Sequence, residues 1–510
     1  MKPDDIYHAI TQIRDDQTLL EETPPKKRRK RWIWISTAAV LALAAGIFLL
    51  RRTAVFSPAP LYTGNVQLAA ARYPEADERM ENVYWTLYEK EFGLGPFSEA
   101  EASPNPVQED GSAYCSARRL LENWDEAFSQ FQQFFGSSAR QLLHGTGEES
   151  YDQNPNKIYS PLNLYLALSM AAEITGGSSR QQILDLLESP GIEELRDQSR
   201  GLWALSCQEE DGAYCRAHNS MWLSNRVDYR QSTLDLLAEE HFADSFRGDP
   251  GTEEYDRLLQ DWVNEHTGGL LQEQAGGLHM ERDMAITLMS ALEYHAPWIS
   301  PFNPEQNTQQ VFHGLDGDVE QEFMHDTGRN SYYRGEHFGA VAKSLNHPDQ
   351  MLFILPDEGY TPQDLLAEDS DLWDFLEAIS RESTFFTDEG WENTEWVELH
   401  FGVPKFDVSS HLDLMEGLKA LGVTEALDLE RSDFSPLTSQ YPAVITEASH
   451  ACRVMIDEEG CTGASYVDLG VACGDDNADP RELYFTLDRP FLFVLYNRYV
   501  PLYMGVVNQP

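Results

Sequence analysis

Three kinds of side chain in this 510-residue sequence could do chemistry: six cysteines, 14 histidines and 85 carboxylates. Cys115, Cys207, Cys215, Cys452, Cys461 and Cys473 show neither a CxxC spacing nor the paired histidines of a zinc site. An even count permits disulfides without requiring them. Cys207 and Cys215 bracket the polar turn Gln208-Glu209-Glu210-Asp211-Gly212, which makes them the best-placed pair, with two free thiols as the alternative. No histidines and carboxylates cluster at metal-ligand spacing, and Asp316-Gly317-Asp318 is too short for a calcium loop. The GxSxG elbow, the Walker loop, HExxH and the dinucleotide fingerprint are all missing. The expectation is a protein that is not an enzyme and uses no cofactor or metal.

Charge narrows the partners. Lys and Arg number 37 against 85 Asp and Glu, a net charge of −48. The first 52 residues carry ten bases and six acids, so everything after them stands at 27 against 79. Such a surface repels phosphate backbones, and nucleic acid is excluded as a partner. Hydrophobic residues at 42% and aromatics at 11% suffice for a sizeable core. The length suits one large domain with a tail.

The tail holds one apolar run, Trp32 to Leu50 (WIWISTAAVLALAAGIFLL), without a charge. Its residues would span roughly 28 Å as a helix, close to a bilayer core. Lys26–Arg31 precede it and only Arg51 and Arg52 follow, so the heavier positive flank stays inside. Two arginines stand where a signal peptide would need small residues for cleavage. This predicts a cytosolic leader over 1–31, an uncleaved transmembrane anchor over 32–50 and an extracellular remainder. Prolines and acids from Thr53 to about Asn123 predict a stalk over 51–123 with a short helix near Asp77–Lys90. The large domain then takes 124–510.

Within that domain, Ser160-Pro161 pairs an N-cap residue with a proline suited to the first helical turn, and Gly176-Gly177 stops the helix. Its residues are apolar nearly all round, which predicts burial. Ser178 and Gln181 suit a capping box for a second helix. Val341–Leu345 and Met351–Leu355 read as strands, and Val397–Phe406 alternates. His411–Leu421 reads as a helix closed by Gly422, and the C-terminus as two buried strands. Helices first, with strands gathered from distant segments, predict an α+β fold.

Several blocks resemble the serpin family over about Trp124 to Pro510. NKIYSPLNLYLALSMAAEITGGSSRQQIL is similar to the family's second helix and its sequel. Trp262-Val263 with Thr267-Gly268 resembles its WVxxxTxG motif. LMSALEYHAPWISPFNP resembles the segment with the breach tryptophan, here Trp298. VPKFDVSSHLDLMEGLKALGVTEALDLERSDFSPLT and DRPFLFVLYN with PLYMGVVNQP are similar to two further blocks. The resemblance implies about nine helices packed on three β-sheets with an exposed reactive-centre loop at about 460–482. It also implies a shutter formed by Ser160, Asn163, Ser290 and His450. Asn163 stands where the family usually has serine, and Ser290 where it usually has asparagine. The implied activity is that of a monomeric suicide inhibitor whose partner is a serine or cysteine protease, trapped covalently.

A loop that inhibits this way must enter a sheet as a strand, and a strand places alternate side chains in the core. The hinge begins Asp457-Glu458-Glu459-Gly460. Beyond it, one register holds Cys461, Gly463, Ser465, Val467, Leu469, Val471 and Cys473, all small or apolar. The other holds Thr462, Ala464, Tyr466, Asp468, Gly470 and Ala472, which sends the ring and the charge outward. The family's usual spacing from Gly460 places the scissile residue at Gly474, within one residue of Cys473 and Asp475. Val471 and Ala472 before it suggest an elastase-like or subtilisin-like target. Cys461 replaces a usual threonine, and Gly463-Ala464-Ser465-Tyr466 a usual alanine run. A non-inhibitory serpin acting as a surface binding module is the alternative.

Overall fold

The computed structural model describes residues 61–74, 112–144 and 155–510, apart from 211, 347–348, 383–392, 441–442, 462–480 and 498–499. The chain divides into two units, Met1–Pro58 and Ala59–Pro510, and every described residue lies in the second. In chain order the strands are β1 (Val66–Ala69), β2 (Lys157–Tyr159), β3 (Glu209–Glu210), β4 (Ala213–Ser224), β5 (Ala243–Gly248), β6 (Ile286–Pro297), β7 (Thr308–Gly314), β8 (Gly317–Arg334) and β9 (Phe338–Leu345). They continue as β10 (Asp349–Pro356), β11 (Thr394–Pro404), β12 (Phe406–Asp413), β13 (Ser449–Ile456), β14 (Gly460–Cys461), β15 (Arg481–Thr486), β16 (Phe491–Asn497) and β17 (Val500–Val507).

An eight-stranded sheet runs β1-β5-β4-β6-β14-β13-β12, with β3 on β4. A nine-stranded sheet runs β15-β11-β8-β9-β10-β16-β17-β2, with β7 on β8. The helix Pro161–Ile174 packs on β6 of the first and β17 of the second, which explains why 13 of its residues are buried. Ser160 caps it by accepting from the Asn163 amide, with Pro161 in the first turn. β16 and β17 are buried along their whole length, as two strands paired inside a covered sheet must be.

The α+β class and the C-terminal strand pair agree with expectation. Details differ, each for a physical reason. Eleven α-helices are present among the described residues, and the strands form two continuous ladders where three sheets were expected. Within the nine-stranded ladder the 18-residue β8 joins β15-β11 to β9 and the strands beyond it: it pairs β11 along most of its length but bonds β9 only through Tyr333 and Arg334. Ser178 does not cap its helix. Gly176 holds that position, and the Ser178 hydroxyl donates to Glu425. His411 belongs to β12, paired with Ala451, so the helix starts at Met415; Gly422, with φ +97°, follows as its stop.

The N-terminal readings change most. β1, inside the predicted stalk, joins the sheet by pairing with β5, and the helix Ala113–Glu122 packs on the helix Ile192–Ser206. The stretch read as a stalk therefore contributes to the domain. The helix expected near Asp77–Lys90 lies outside the described residues, as do the leader and the run Trp32–Leu50. The anchored, single-pass location is corrected: among the described residues no helix is long and apolar enough to cross a membrane.

Candidate functional site

The site is where two neighbouring strands are held apart. β14, only two residues long, sits between β6 and β13, with Gly460 opposite Pro297, and Cys461 opposite both Ala296 and Ile456. Below it, no described strand pairing joins β6 to β13. A cavity of about 110 Å³ lies there, lined by Ser290, Ala291 and Leu292 on one side and by His450 to Val454 on the other. Val263, Thr267, Leu270 and Leu271, at and beyond the end of the helix Glu253–Glu265, line it as well, as do Leu495 and Tyr503 of the second sheet.

The turn that seats β14 is built by local chemistry. The Asp457 carboxylate accepts from the Glu459 and Gly460 amides at 2.9 and 3.1 Å, a side chain imitating a backbone turn. Trp298, almost fully buried, donates its indole N–H to the Asp457 carbonyl at 2.9 Å, and its backbone amide to Glu459 at 2.8 Å. Glu458 accepts from Lys405 at 2.6 Å and Asn307 at 2.5 Å. Burial alone would raise the Glu458 carboxyl; the bonds from Lys405 and Asn307 hold it below the usual range. Cys461 is buried at the head of the gap, where desolvation pushes its thiol up to about 12, so it behaves as a small apolar group and not as a nucleophile.

Deeper in the gap, the four residues singled out as a shutter form two hydrogen-bonded groups. Asn163 donates its amide to the Ser290 carbonyl at 3.1 Å. The Ser290 hydroxyl reaches both Asn163 Oδ1 and, at 2.7 Å, Asn219 Oδ1, and has one proton to give. Asn219 in turn donates to the His241 carbonyl at 2.8 Å. On the other strand, His450 Nε2 accepts from the Ser160 amide at 2.9 Å and lies 3.1 Å from Cys452 Sγ. Asn163 and Ser290 thus keep a reciprocal pair with the residue types exchanged. Asn163→Ser alone and Ser290→Asn alone are each expected to cost about 1–3 kcal/mol, because each leaves a buried group unpaired. The double substitution should recover most of that loss; a coupling below about 0.5 kcal/mol in urea unfolding would refute the pairing.

His450 also sets a pH dependence. Burial, then the nearby His411, lowers it from 6.5 to about 4. A base whose folded pKa lies below its unfolded one loses native stability as pH falls through that interval. The contribution of His450 is therefore full above about pH 6.5, declines toward pH 4 and levels below it, by an amount of order 3 kcal/mol. Denaturation midpoints of the protein and of His450→Gln across this range should converge at low pH.

Gly463, Ser465, Val467, Cys473, Gly474 and Asp475 lie outside the described residues. Cys207 and Cys215 are both free thiols in mutual contact, so the disulfide considered for them is not formed. Asn219, Cys452, Lys405 and Asn307 complete the site and were missed in the sequence. The one available signal was Asn219 standing just before the apolar Met221-Trp222-Leu223 of β4.

A family model described as "Serpin (serine protease inhibitor)" matches residues 137–510. Among curated proteins, an uncharacterised serpin-like protein of Thermococcus kodakarensis is 25% identical over 374 residues, 71% of this chain and 83% of its own length. Plasminogen activator inhibitor 1 of Bos taurus is 24% identical over 424 residues, 78% of this chain and 98% of its own. Among solved structures, the thermophilic serpin tengpin in its native state aligns with TM-score 0.61 at 21% identity, covering 75% of this chain and 93% of that one. Thyroxine-binding globulin complexed with thyroxine aligns with TM-score 0.61 at 18% identity, covering 74% and 99%.

Proposed function

The chain belongs to the serpin family, and from that premise we propose that it is a suicide-substrate inhibitor of extracellular serine or cysteine proteases, of elastase-like or subtilisin-like preference. The observation that carries this reading is β14, seated between β6 and β13 above a cavity lined by both strands. A protease would attack the loop near Gly474 as substrate. Its nucleophilic oxygen or sulfur bonds to the scissile carbonyl carbon, the C–N bond breaks, and the leaving amine takes the proton. The chain before that bond then extends β14 downward, carrying the acyl-linked protease along.

Continuing the β14 register gives the inserted pairing. Gly463 falls opposite Tyr294 and Val454, Ser465 opposite Leu292 and Cys452, and Val467 opposite Ser290 and His450. Those β13 residues are buried, so the small and apolar loop positions meet the core, while Tyr466 and Asp468 face outward. Each new ladder hydrogen bond contributes about 1 kcal/mol net. Losing a single oxyanion-hole donor slows a protease by roughly 10²–10³. A dozen new bonds therefore exceed what is needed to deform that hole.

The test is to mix the protein with elastase-like and subtilisin-like proteases and look for a denaturant-resistant covalent band. Its appearance, with higher thermal stability after loop cleavage, supports trapping. Cleavage without an adduct would favour the second reading, a non-inhibitory binding module. Cys461 and the glycine and tyrosine near it, in place of the family's usual threonine and alanines, are what favour that reading.

A further inference from the structure

We propose that the imidazole pair His218–His266, closed over by Tyr73, is an acid-released latch holding the helix Glu253–Glu265 against the eight-stranded sheet. His218 stands on β4 and His266 caps the helix C-terminus; their rings lie 4.5 Å apart, edge to face. His266 stacks in turn on Trp262 at 4.3 Å, and its Nδ1 donates to the Trp262 carbonyl at 2.7 Å. Tyr73 places its hydroxyl 2.8 Å from His218 Nδ1, with its ring packed on the touching pair Trp203 and Phe242 at 6.0 and 5.8 Å.

Tyr73 reaches this position because the segment before it is strapped down. β1 pairs with β5, Arg247 lies 3.6 Å over the Tyr62 ring, and the Arg72 amide donates to Ala238 at 2.8 Å. The Asp244 carboxylate ties strap and helix together, accepting from Gln67 and the Ala71 amide, and from the Trp262 indole at 3.4 Å. The helix that is latched is the one whose Val263 lines the gap between β6 and β13. A strand entering that gap would pass against Val263 and Thr267, and lifting this end of the helix would break the His266–His218 and Trp262–Asp244 contacts. The link from latch to protease trapping rests on the inhibitory reading; the latch itself does not.

The charges facing His218 decide the direction. Arg216 on its own strand and His266 on the helix oppose its protonation, and Asp244 on β5 favours it. The strap brings only the Tyr73 hydroxyl, itself pushed well up by burial, and Cys207 adjoins that tyrosine. Burial first, then His266 and Arg216, lower His218 to about 4. At pH 7 its Nδ1 therefore accepts from Tyr73. Protonation removes that acceptor and sets a cation against His266. Since the opened form titrates near 6.5, opening should rise by up to about tenfold per pH unit between 6.5 and 4.

Hydrogen exchange of the helix Glu253–Glu265, corrected for intrinsic rates and read at pH 7 and pH 5, tests this without any protease. The expected result is at least a tenfold gain in opening at pH 5 in the protein and a flat response in His218→Gln. Equal pH responses in the two, or none in the unmodified protein, would overturn the proposal. Tyr73→Phe, which keeps the ring, gives a second arm: it should raise opening at pH 7 severalfold, and unchanged protection would equally overturn it. Covalent trapping by His218→Gln at both pH values then reports the coupling separately, so a failed inhibitory reading and a failed latch remain distinguishable.

Discussion

Under the inhibitory reading proposed above, Gly460→Val is expected to turn a trap into a substrate. A Cβ at Gly460 would lie 2.4 Å from the Ala296 carbonyl oxygen and 2.6 Å from the Pro297 Cα, and both are backbone atoms of β6 that cannot swing aside. The valine can fit only if β14 leaves its place between β6 and β13. Overpacking of this kind costs about 1–3 kcal/mol. Because insertion must start from this seat, the whole cost falls on insertion and none on cleavage. The fraction of encounters that end in a covalent complex should fall about ten- to a hundredfold while the loop is still cut. Unchanged stoichiometry of inhibition would mean that β14 is not the start of the inserting strand.

Trp298→Ala should produce the largest loss of stability, about 3–5 kcal/mol. The indole is 2% exposed, meets Phe302 edge to face at 5.9 Å, and its residue bridges β6 to Leu345 of the second sheet. Its loss also frees the Asp457 carbonyl from its 2.9 Å bond and so loosens the turn that seats β14. Lys343, beside these rings and bonded to Asp326 at 2.7 Å, would gain water. Trp298→Phe separates the two contributions, since it keeps most of the apolar contact but loses the donor. It should cost about 1–3 kcal/mol. A lower denaturation midpoint for alanine than for phenylalanine is the expected order, and equal midpoints would refute the role of the packed ring.

Local chemistry is what the sequence makes legible. Ser160 and Pro161 announce a helix start because a cap and a fixed φ act within one turn. Val397, Leu399, Phe401 and Val403 announce a strand face because alternation is a two-residue property, and all four are buried. His411 shows the limit: His411–Leu421 carries helical spacing, yet pairing with Ala451 draws its first residues into β12. β1 is harder still. Four residues between proline-containing segments carry no strand signal, and their partner Arg247 lies 181 positions after Val66. Separations of 53 and 71 positions likewise hide the Lys405–Glu458 ion pair and the Asn219–Ser290 contact. Asn163 and Ser290 were each legible as departures from a pattern, but their exchange became a pair only once the helix was seen packed on β6.

β1 has a practical bearing on how the protein is handled. A recombinant fragment begun at Trp124, where the sequence reading places the start of the large domain, would lack it and leave the six-residue β5 as a bare margin with unsatisfied amides and carbonyls. Such margins recruit strands from neighbouring molecules and seed insoluble aggregates. With β1 retained, the outermost strand is only four residues long and offers a foreign chain little to grip.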